Sequence, residues 1–333
     1  MKTVRVIAAI ILAAILLYIA GVNSEGRPEF FSHKENDFTF EMTTVPKASE
    51  FSQVKIPIKI TGDIQPNLRL LFRPSKYGQD ETTELRHYRN IPLIIEDSAS
   101  GLYYATVSTD AKGGKLYYYF EIRDNTGGYR AGLSRPDGKP FILKYIGHVP
   151  TLVLIGHIAL MTLTVFFLVV GFLYAIPLIH RGRNVRAMTL HFAFAAACAF
   201  LGGYLLGFAM NHYAFGTVWE GVPFGTDATD NKTQLLFAYM LFITLASFGS
   251  WSKGKIGCDI YSSRALGWFG IGGFVLMLAI YLIPHSIQFT PELTYTVCYS
   301  FLGLLVLLYT VGRLRMRFPP RRTGRKAKSK RAK

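Results

Sequence analysis

Six of the eight histidines, His148, His157, His180, His191, His212 and His285, fall in or beside long apolar runs, while His33 and His87 lie alone in a more polar N-terminal half. A neutral imidazole in such a setting can ligate haem iron or another metal. His157 and His180 are 23 residues apart and His191 and His212 are 21 apart, about 35 and 32 Å along a helix. Two such helices running antiparallel bring His157 to the level of His212 and His180 to that of His191. Stacked imidazole pairs are how a bundle holds two b-type haems. Depth argues against two haems, because His180 opens the Arg-rich connection "HRGRNVR" and the ligands of a buried haem sit nearer mid-membrane. The cofactor candidates therefore narrow to the outer group, His157, His212 and His285 with Trp219 between them, and to a haem b. The plain alternative is interfacial histidine, whose amphipathic ring suits the headgroup level. His157 is the exception, since a polar side chain inside an apolar run has a partner or a task.

The stretch "NHYAFGTVWEGVPFGTDATDNKTQ" (211–234) supplies the other candidate chemistry. His148 with Asp227 and Asp230, and Glu220 nearby, offers a nitrogen and oxygen shell suited to zinc, copper or iron, although no HExxH or HxH spacing accompanies it. The end of the stretch reads as a helix start, with Asn231 as N-cap, Gln234 completing a capping-box pattern, and Asp227 and Asp230 favouring the positive helix end. Its first part, "NHYAFGTVWEGVPFG", is too apolar for a solvated loop and too rich in glycine for a helix. It reads as a segment folded along the membrane surface, where aromatic side chains sit at headgroup level, as a lid beside His157 and His285. No GxSxG or P-loop is present. Cys198, Cys258 and Cys298 form no CxxC pair, and none lies in the N-terminal half. "GWFGIGG" has no strand before it, so its glycines, like Gly202, Gly203 and Gly207, read as close-packing positions of membrane helices.

The elements that must position these residues are legible from hydropathy. The 333-residue chain is half hydrophobic and holds five apolar runs, at roughly 150–178, 188–210, 232–251, 265–284 and 293–312, each near the length needed to cross about 30 Å of hydrocarbon. An earlier run, Val6 to Val22, follows Lys2 and Arg5 and reads as an uncleaved anchor, with a signal peptide cut near Ser24 as the alternative. "HRGRNVR" and "SKGKIGCDIYSSR" are basic, while the 211–234 stretch and "PHSIQFTPEL" are not. The positive-inside rule thus puts the basic connections and the C terminus in the cytoplasm.

Residues 25–147 differ in kind. Short runs rich in β-branched and aromatic residues, "FTFEM", "VKIPIKI", "LRLLF", "LYYATVS", "KLYYYFEIRD" and "FILKYI", alternate with turn signals such as "NTGG" and "RPDGKP". Val54, Ile56, Ile58 and Ile60 alternate with Lys55, Pro57 and Lys59, the pattern of a half-buried strand. About seven strands in this length fit an immunoglobulin-like sandwich. The expected architecture is a multidomain membrane protein: a signal anchor or signal peptide over 1–24, an exported Ig-like β-sandwich over 25–147, an all-α bundle of five transmembrane helices over 148–312, and a basic cytoplasmic tail over 313–333.

That tail carries eleven of the chain's 37 Lys and Arg residues and no acid, and without it the formal charge of +16 falls to +5. A basic run directly after an apolar one contacts anionic membrane lipids or fixes topology. It has no aromatic residue after Phe318 on which a base could stack, so no nucleic acid is expected as a partner.

The loop "WEGVPFGTDATDNKT", with "HVPTLVLIGH" and an exported β domain before it, resembles a group of bacterial multi-pass membrane proteins that share W-x-G-x-P-F-G-x-D-x-T-D-N-K. The resemblance covers residues from about 117 to 235 and implies a bacterial inner-membrane location, with the β domain on the periplasmic side. A second likeness, to haem-handling proteins of cytochrome c maturation, rests on Trp219, Asp230 and Lys232 between His212 and His285. It lacks that family's several tryptophans and the proline of its motif. The expected function is an interaction or assembly component of a membrane complex with a protein partner in the exported compartment. A haem- or metal-associated electron-transfer subunit is the alternative, and a transporter is disfavoured by the scarcity of buried charge.

Overall fold

The computed structural model describes residues 2–22, 28–35, 38–62, 67–75, 89–97, 100–123, 129–135, 138–181, 185–254, 257–283 and 289–317. It divides into two compact units. One comprises residues 24–158 and 204–219, and the other residues 1–23, 159–203 and 220–333.

The first unit is built on two β-sheets. Helix α1 (Lys2–Val22), which belongs to the second unit, precedes eleven strands: β1 (Phe30–Glu35), β2 (Phe38–Thr43), β3 (Lys47–Ser49), β4 (Gln53–Gly62), β5 (Asn67–Ser75), β6 (Arg89–Pro92), β7 (Ile94–Asp97), β8 (Leu102–Ser108), β9 (Lys115–Arg123), β10 (Tyr129–Leu133) and β11 (Phe141–Ile146). One sheet has the order β1-β2-β4-β8-β7 and the other β3-β11-β9-β5-β6, with β10 also paired to β9. All pairings are antiparallel except that of β3 with β11. The alternation expected for β4 holds, with Ile56, Ile58 and Ile60 buried and Lys55 and Lys59 exposed. Alternate residues Leu116, Tyr118 and Phe120 of β9 and Phe141, Leu143 and Tyr145 of β11 form one core with Phe40, Met42, Leu70, Ala105 and Val107, while Tyr117 and Glu121 of β9 are buried outside it. Among the described residues the eleven strands exceed the expected seven. The additional ones, such as "FFSHKE" and "IIED", are short edge or charged segments that lack an apolar alternation.

The second unit is helical. Helix α2 spans Thr151–Arg181. Helix α3 (Arg186–Ala199) runs through a π-helical stretch (Phe200–Leu206) into α4 (Gly207–Phe215). The remaining helices are α5 (Ala228–Ala246), α6 (Phe248–Lys253), α7 (Ser263–Leu282) and α8 (Pro291–Arg317). Residues 151–158 and all of α4 belong to the first unit. Among the described residues four helices are long and apolar enough to cross a membrane: Thr151–His180, Arg186–Phe215, Ser263–Leu282 and Pro291–Arg317. The run expected as a third span instead becomes α5, whose first two turns, "ATDNKTQ", are polar, and then the short α6.

Close packing of the second unit depends on its small residues. A Cβ at Gly202 would lie 2.7 Å from Cβ of Leu160, and one at Gly203 would lie 2.6 Å from Cγ2 of Thr233. The expected packing role of these glycines is thus met by tight helix contacts. Helix α1 contributes Ala9, Ala13 and Leu16, one stripe at helical spacing, to the same core as Val165, Phe192, Ile243 and Met277. The Arg5 guanidinium sits 4.4 Å above the Tyr174 ring, within cation–π range.

Candidate functional site

The glycine-rich stretch begins as helix. Residues 211–215 complete α4, which ends at Gly216, a left-handed C-cap with φ 80 whose N–H donates to the His212 carbonyl at 3.1 Å. The expected non-helical stretch therefore begins at Gly216 rather than Asn211, because Gly216 stands one residue past the helix, where its freedom ends a helix cleanly. The helix end docks on the sandwich through its backbone. The Gly147 N–H, just after β11, donates to the Ala214 carbonyl at 2.9 Å. Gly113 packs so tightly on the Phe215 carbonyl that any β-carbon would collide with it. The Lys112 N–H in the neighbouring turn donates to Glu50 Oε2 at 3.1 Å.

Trp219 does not extend into solvent. Its ring stacks on Tyr204 at a centroid distance of 5.3 Å and 13° and meets Phe208 edge-on at 5.7 Å. Tyr204 lies in the π-helical stretch and Phe208 one turn later in α4, so a single helix face receives the indole. Aromatic pairs of this geometry contribute about 0.5–1.5 kcal/mol beyond burial.

The acidic half of the loop is equally committed. The N-cap of α5 is Asp227, whose Oδ1 accepts from the N–H groups of Thr229 at 2.8 Å and Asp230 at 3.0 Å. The helix therefore starts four residues before the expected Asn231 cap, and Asn231 lies inside it. Its Oδ1 reaches back to the Val222 N–H at 2.8 Å, and Asp230 Oδ2 reaches back to the Glu220 N–H at 2.7 Å. Two side chains of the first helical turn thus hold two backbone donors of the loop that leads into it. Lys232, also buried, donates from Nζ to the carbonyl of Ile283 at 3.0 Å. Ile283 is the C-cap of α7, the negative end of a helix dipole, where a cation is favoured. "D-x-x-D-N-K" therefore reads as a clasp of hydrogen bonds, charge-assisted at Asp227, Asp230 and Lys232 and neutral at Asn231.

The histidines are dispersed in role. His148 is exposed, His157 half-buried, and His212 exposed near the end of α4. His285 lies outside the described residues, so the expected placement of the 211–225 lid beside it falls outside them as well. His191 is held within the helical unit, with Nδ1 2.7 Å from the Ala187 carbonyl and its ring stacked on Tyr174 at 5.3 Å. His180 is exposed. No group of three or more His, Cys, Asp or Glu side chains that could hold a metal ion forms among the described residues. The carboxylates of Asp227 and Asp230 that were candidate ligands with His148 are bonded to backbone N–H groups.

A second buried polar cluster carries no sequence signal. Asp259, between α6 and α7, accepts the Ser250 N–H at 2.6 Å on Oδ1 and the Ser250 hydroxyl on Oδ2. Beside it Gly249 abuts the Cys258 carbonyl with no room for a β-carbon. Burial pushes the Asp259 carboxyl above the ordinary carboxylate range, with the two Ser250 bonds opposing the shift. Thr189 continues the polar packing of the helical unit, donating to Ser247 Oγ at 2.8 Å, while the Ser247 hydroxyl donates to the Ile243 carbonyl at 2.7 Å. Only a buried acid in a turn that also needs glycine could have flagged it, and "GCDIYSS" looks like any polar connection.

The sequence matches no protein-family model, and no match was found among curated proteins.

Proposed function

We propose that this chain is a multi-pass membrane protein whose β-sandwich serves as an interaction or assembly module for a protein partner outside the cytoplasm. The supporting observation is how the conspicuous loop uses its chemistry: Asp227, Asp230, Asn231 and Lys232 each hold a backbone group of the protein's own fold, and Trp219 is stacked on α4 and the π-helical stretch. A segment spent in this way builds structure and leaves recognition to the sandwich. The strand order β1-β2-β4-β8-β7 over β3-β11-β9-β5-β6 supports an immunoglobulin-like fold, since β2-β4-β8-β7 follows an ABED order and β11-β9-β5 a GFC order, with β3 as the split part of the first strand and β1 and β6 as additional edge strands. Helix α5 with α6 would be the fifth span, its polar first turns lying in the outer interface and anchored by Lys232. The apolar stripe of α1 packed in the helical core supports an anchor over a cleaved signal. The basic tail would face anionic lipids of the cytoplasmic leaflet.

The test is photo-crosslinking in cells from benzoylphenylalanine placed at Ile95, Tyr104 and Phe30 on the sandwich. A discrete adduct to a single protein, repeated from neighbouring positions, is expected. The absence of any adduct from all three positions contradicts the reading. A Soret band in the purified protein that is lost in both His157→Ala and His212→Ala replaces it with the haem alternative.

A further inference from the structure

Phe51 is the single described non-glycine residue with a positive φ, at 50, a backbone region that a bulky side chain enters only under strain. The turn is locked on both sides. Glu50 N–H donates to the Ile146 carbonyl at 3.1 Å and Phe51 N–H to the Asp110 carbonyl at 3.3 Å. Ser52 N–H donates to Thr109 Oγ1 at 2.8 Å, the Ser52 hydroxyl to the Ser49 carbonyl at 2.7 Å, and the buried Thr109 hydroxyl to the Ser49 carbonyl at 2.7 Å. This dense frame holds in place a phenyl ring that is 75% exposed. A folded core gains nothing from strain that presents an apolar ring to water.

The position of the turn says what covers the ring. The Ile146 carbonyl that fixes Glu50 is followed by Gly147, which bonds the Ala214 carbonyl at the end of α4, and α2 begins four residues further on at Thr151. The turn therefore belongs to the end of the sandwich from which two apolar helices depart. Those helix ends are themselves apolar and uncovered: Leu152 is 84% exposed, and Ile155 and Ile158 on α2 and Tyr213 on α4 are exposed as well. Such side chains require lipid, and α2 is 31 residues long, about 46 Å at the helical rise, enough to reach through both headgroup layers. Aromatic residues concentrate at that level.

We propose that the Glu50–Ser52 turn is a membrane-docking finger, in which Phe51 inserts into the lipid interface and seats the membrane-facing end of the sandwich on the bilayer. The proposal rests on the membrane reading above, and its test separates the two. In the full chain with Cys198, Cys258 and Cys298 changed to alanine, F51C is labelled with bimane and reconstituted in phosphatidylcholine nanodiscs with or without lipids brominated high on the acyl chain. V306C serves as reference, because Val306 on α8 is 66% exposed along a helix of membrane-spanning character. Quenching of the F51C label by brominated lipid to at least half the extent seen at V306C, with iodide quenching several-fold below that of free dye, is the expected result. Iodide quenching like that of free dye, or protection from both quenchers, overturns the proposal while V306C quenching upholds the membrane reading. Lipid quenching at neither position overturns both. Should the cysteine-free chain not fold, benzoylphenylalanine at position 51 of the otherwise unchanged chain gives the same answer, a lipid adduct supporting docking and a protein adduct or none overturning it.

Discussion

At the residue scale, Asp259 is the buried acid of the turn between α6 and α7. It is a buried carboxyl whose two oxygens are both occupied by Ser250, and burial raises its proton affinity. The folded state therefore binds this proton more tightly than the unfolded chain. Its contribution to stability is complete below the ordinary aspartate value of 3.8 and declines as pH rises through the elevated folded value. Asp259→Asn keeps an acceptor for the Ser250 N–H and removes the charge, so thermal stability in detergent is expected to match or exceed the parent at pH 7, and the acid-side dependence flattens. Asp259→Ala leaves the Ser250 N–H buried without its acceptor, at a cost of about 1–3 kcal/mol. Equal melting temperatures for the two variants at pH 7 would contradict this assignment. The residue was invisible in the sequence because one aspartate in a polar connection reads as solvated. The acids that did stand out, Asp227 and Asp230, stood out for their spacing and not for any burial the spacing reveals.

At the scale of elements, polar side chains terminate the helices, and they do so across long sequence separations. Lys232, in the second turn of α5, closes the C-terminal end of α7 through Ile283, and Arg264, in the first turn of α7, donates from Nε to the Ile179 carbonyl near the end of α2 at 2.9 Å. Each cation meets the negative end of a helix dipole. Lys232→Met keeps the apolar stem and removes the donor, so the last turn of α7 is expected to fray. Hydrogen exchange at residues 279–283 should rise several-fold, with exchange in the middle of α7 unchanged. Unchanged exchange at both places would mean that the bond does not hold the helix end. The strands that matter for the core, β2, β4, β5, β8, β9 and β11, were legible as alternating runs, because one face of each is buried. The strands that were not legible have little burial to record. Asn231 was misplaced as a cap because a capping box is a local pattern, whereas Asp227 won the position by holding the Thr229 and Asp230 N–H groups and releasing Asn231 to hold Val222.

At the scale of the molecule, the charge pattern makes a prediction of sidedness that the fold does not address. Green fluorescent protein fused after Lys333 is expected to fluoresce and alkaline phosphatase at the same site to be inactive, with the reverse for fusions in the 220–226 loop. A fluorescent fusion in that loop would invert the topology. The sequence by itself determined the features set by hydrophobic periodicity and composition: a β unit before an apolar helical unit, the approximate limits of each long helix, the alternating core of β4, and glycines as sites of close helix approach. These are properties of a segment and its solvent, and they need no knowledge of the segment opposite. Only the tertiary structure decided what the polar residues are for. Asp227, Asp230, Asn231, Lys232 and Asp259 could each have been a ligand, a catalyst or a solvated charge, and the choice went to the nearest unsatisfied backbone groups of segments up to 51 residues away. Phe51 belongs to the same class, since a phenylalanine gives no sign in sequence that its neighbours will hold it at a positive φ. A buried or strained group is assigned its role by the partners that folding brings to it, and partners distant in the chain leave no periodicity to read.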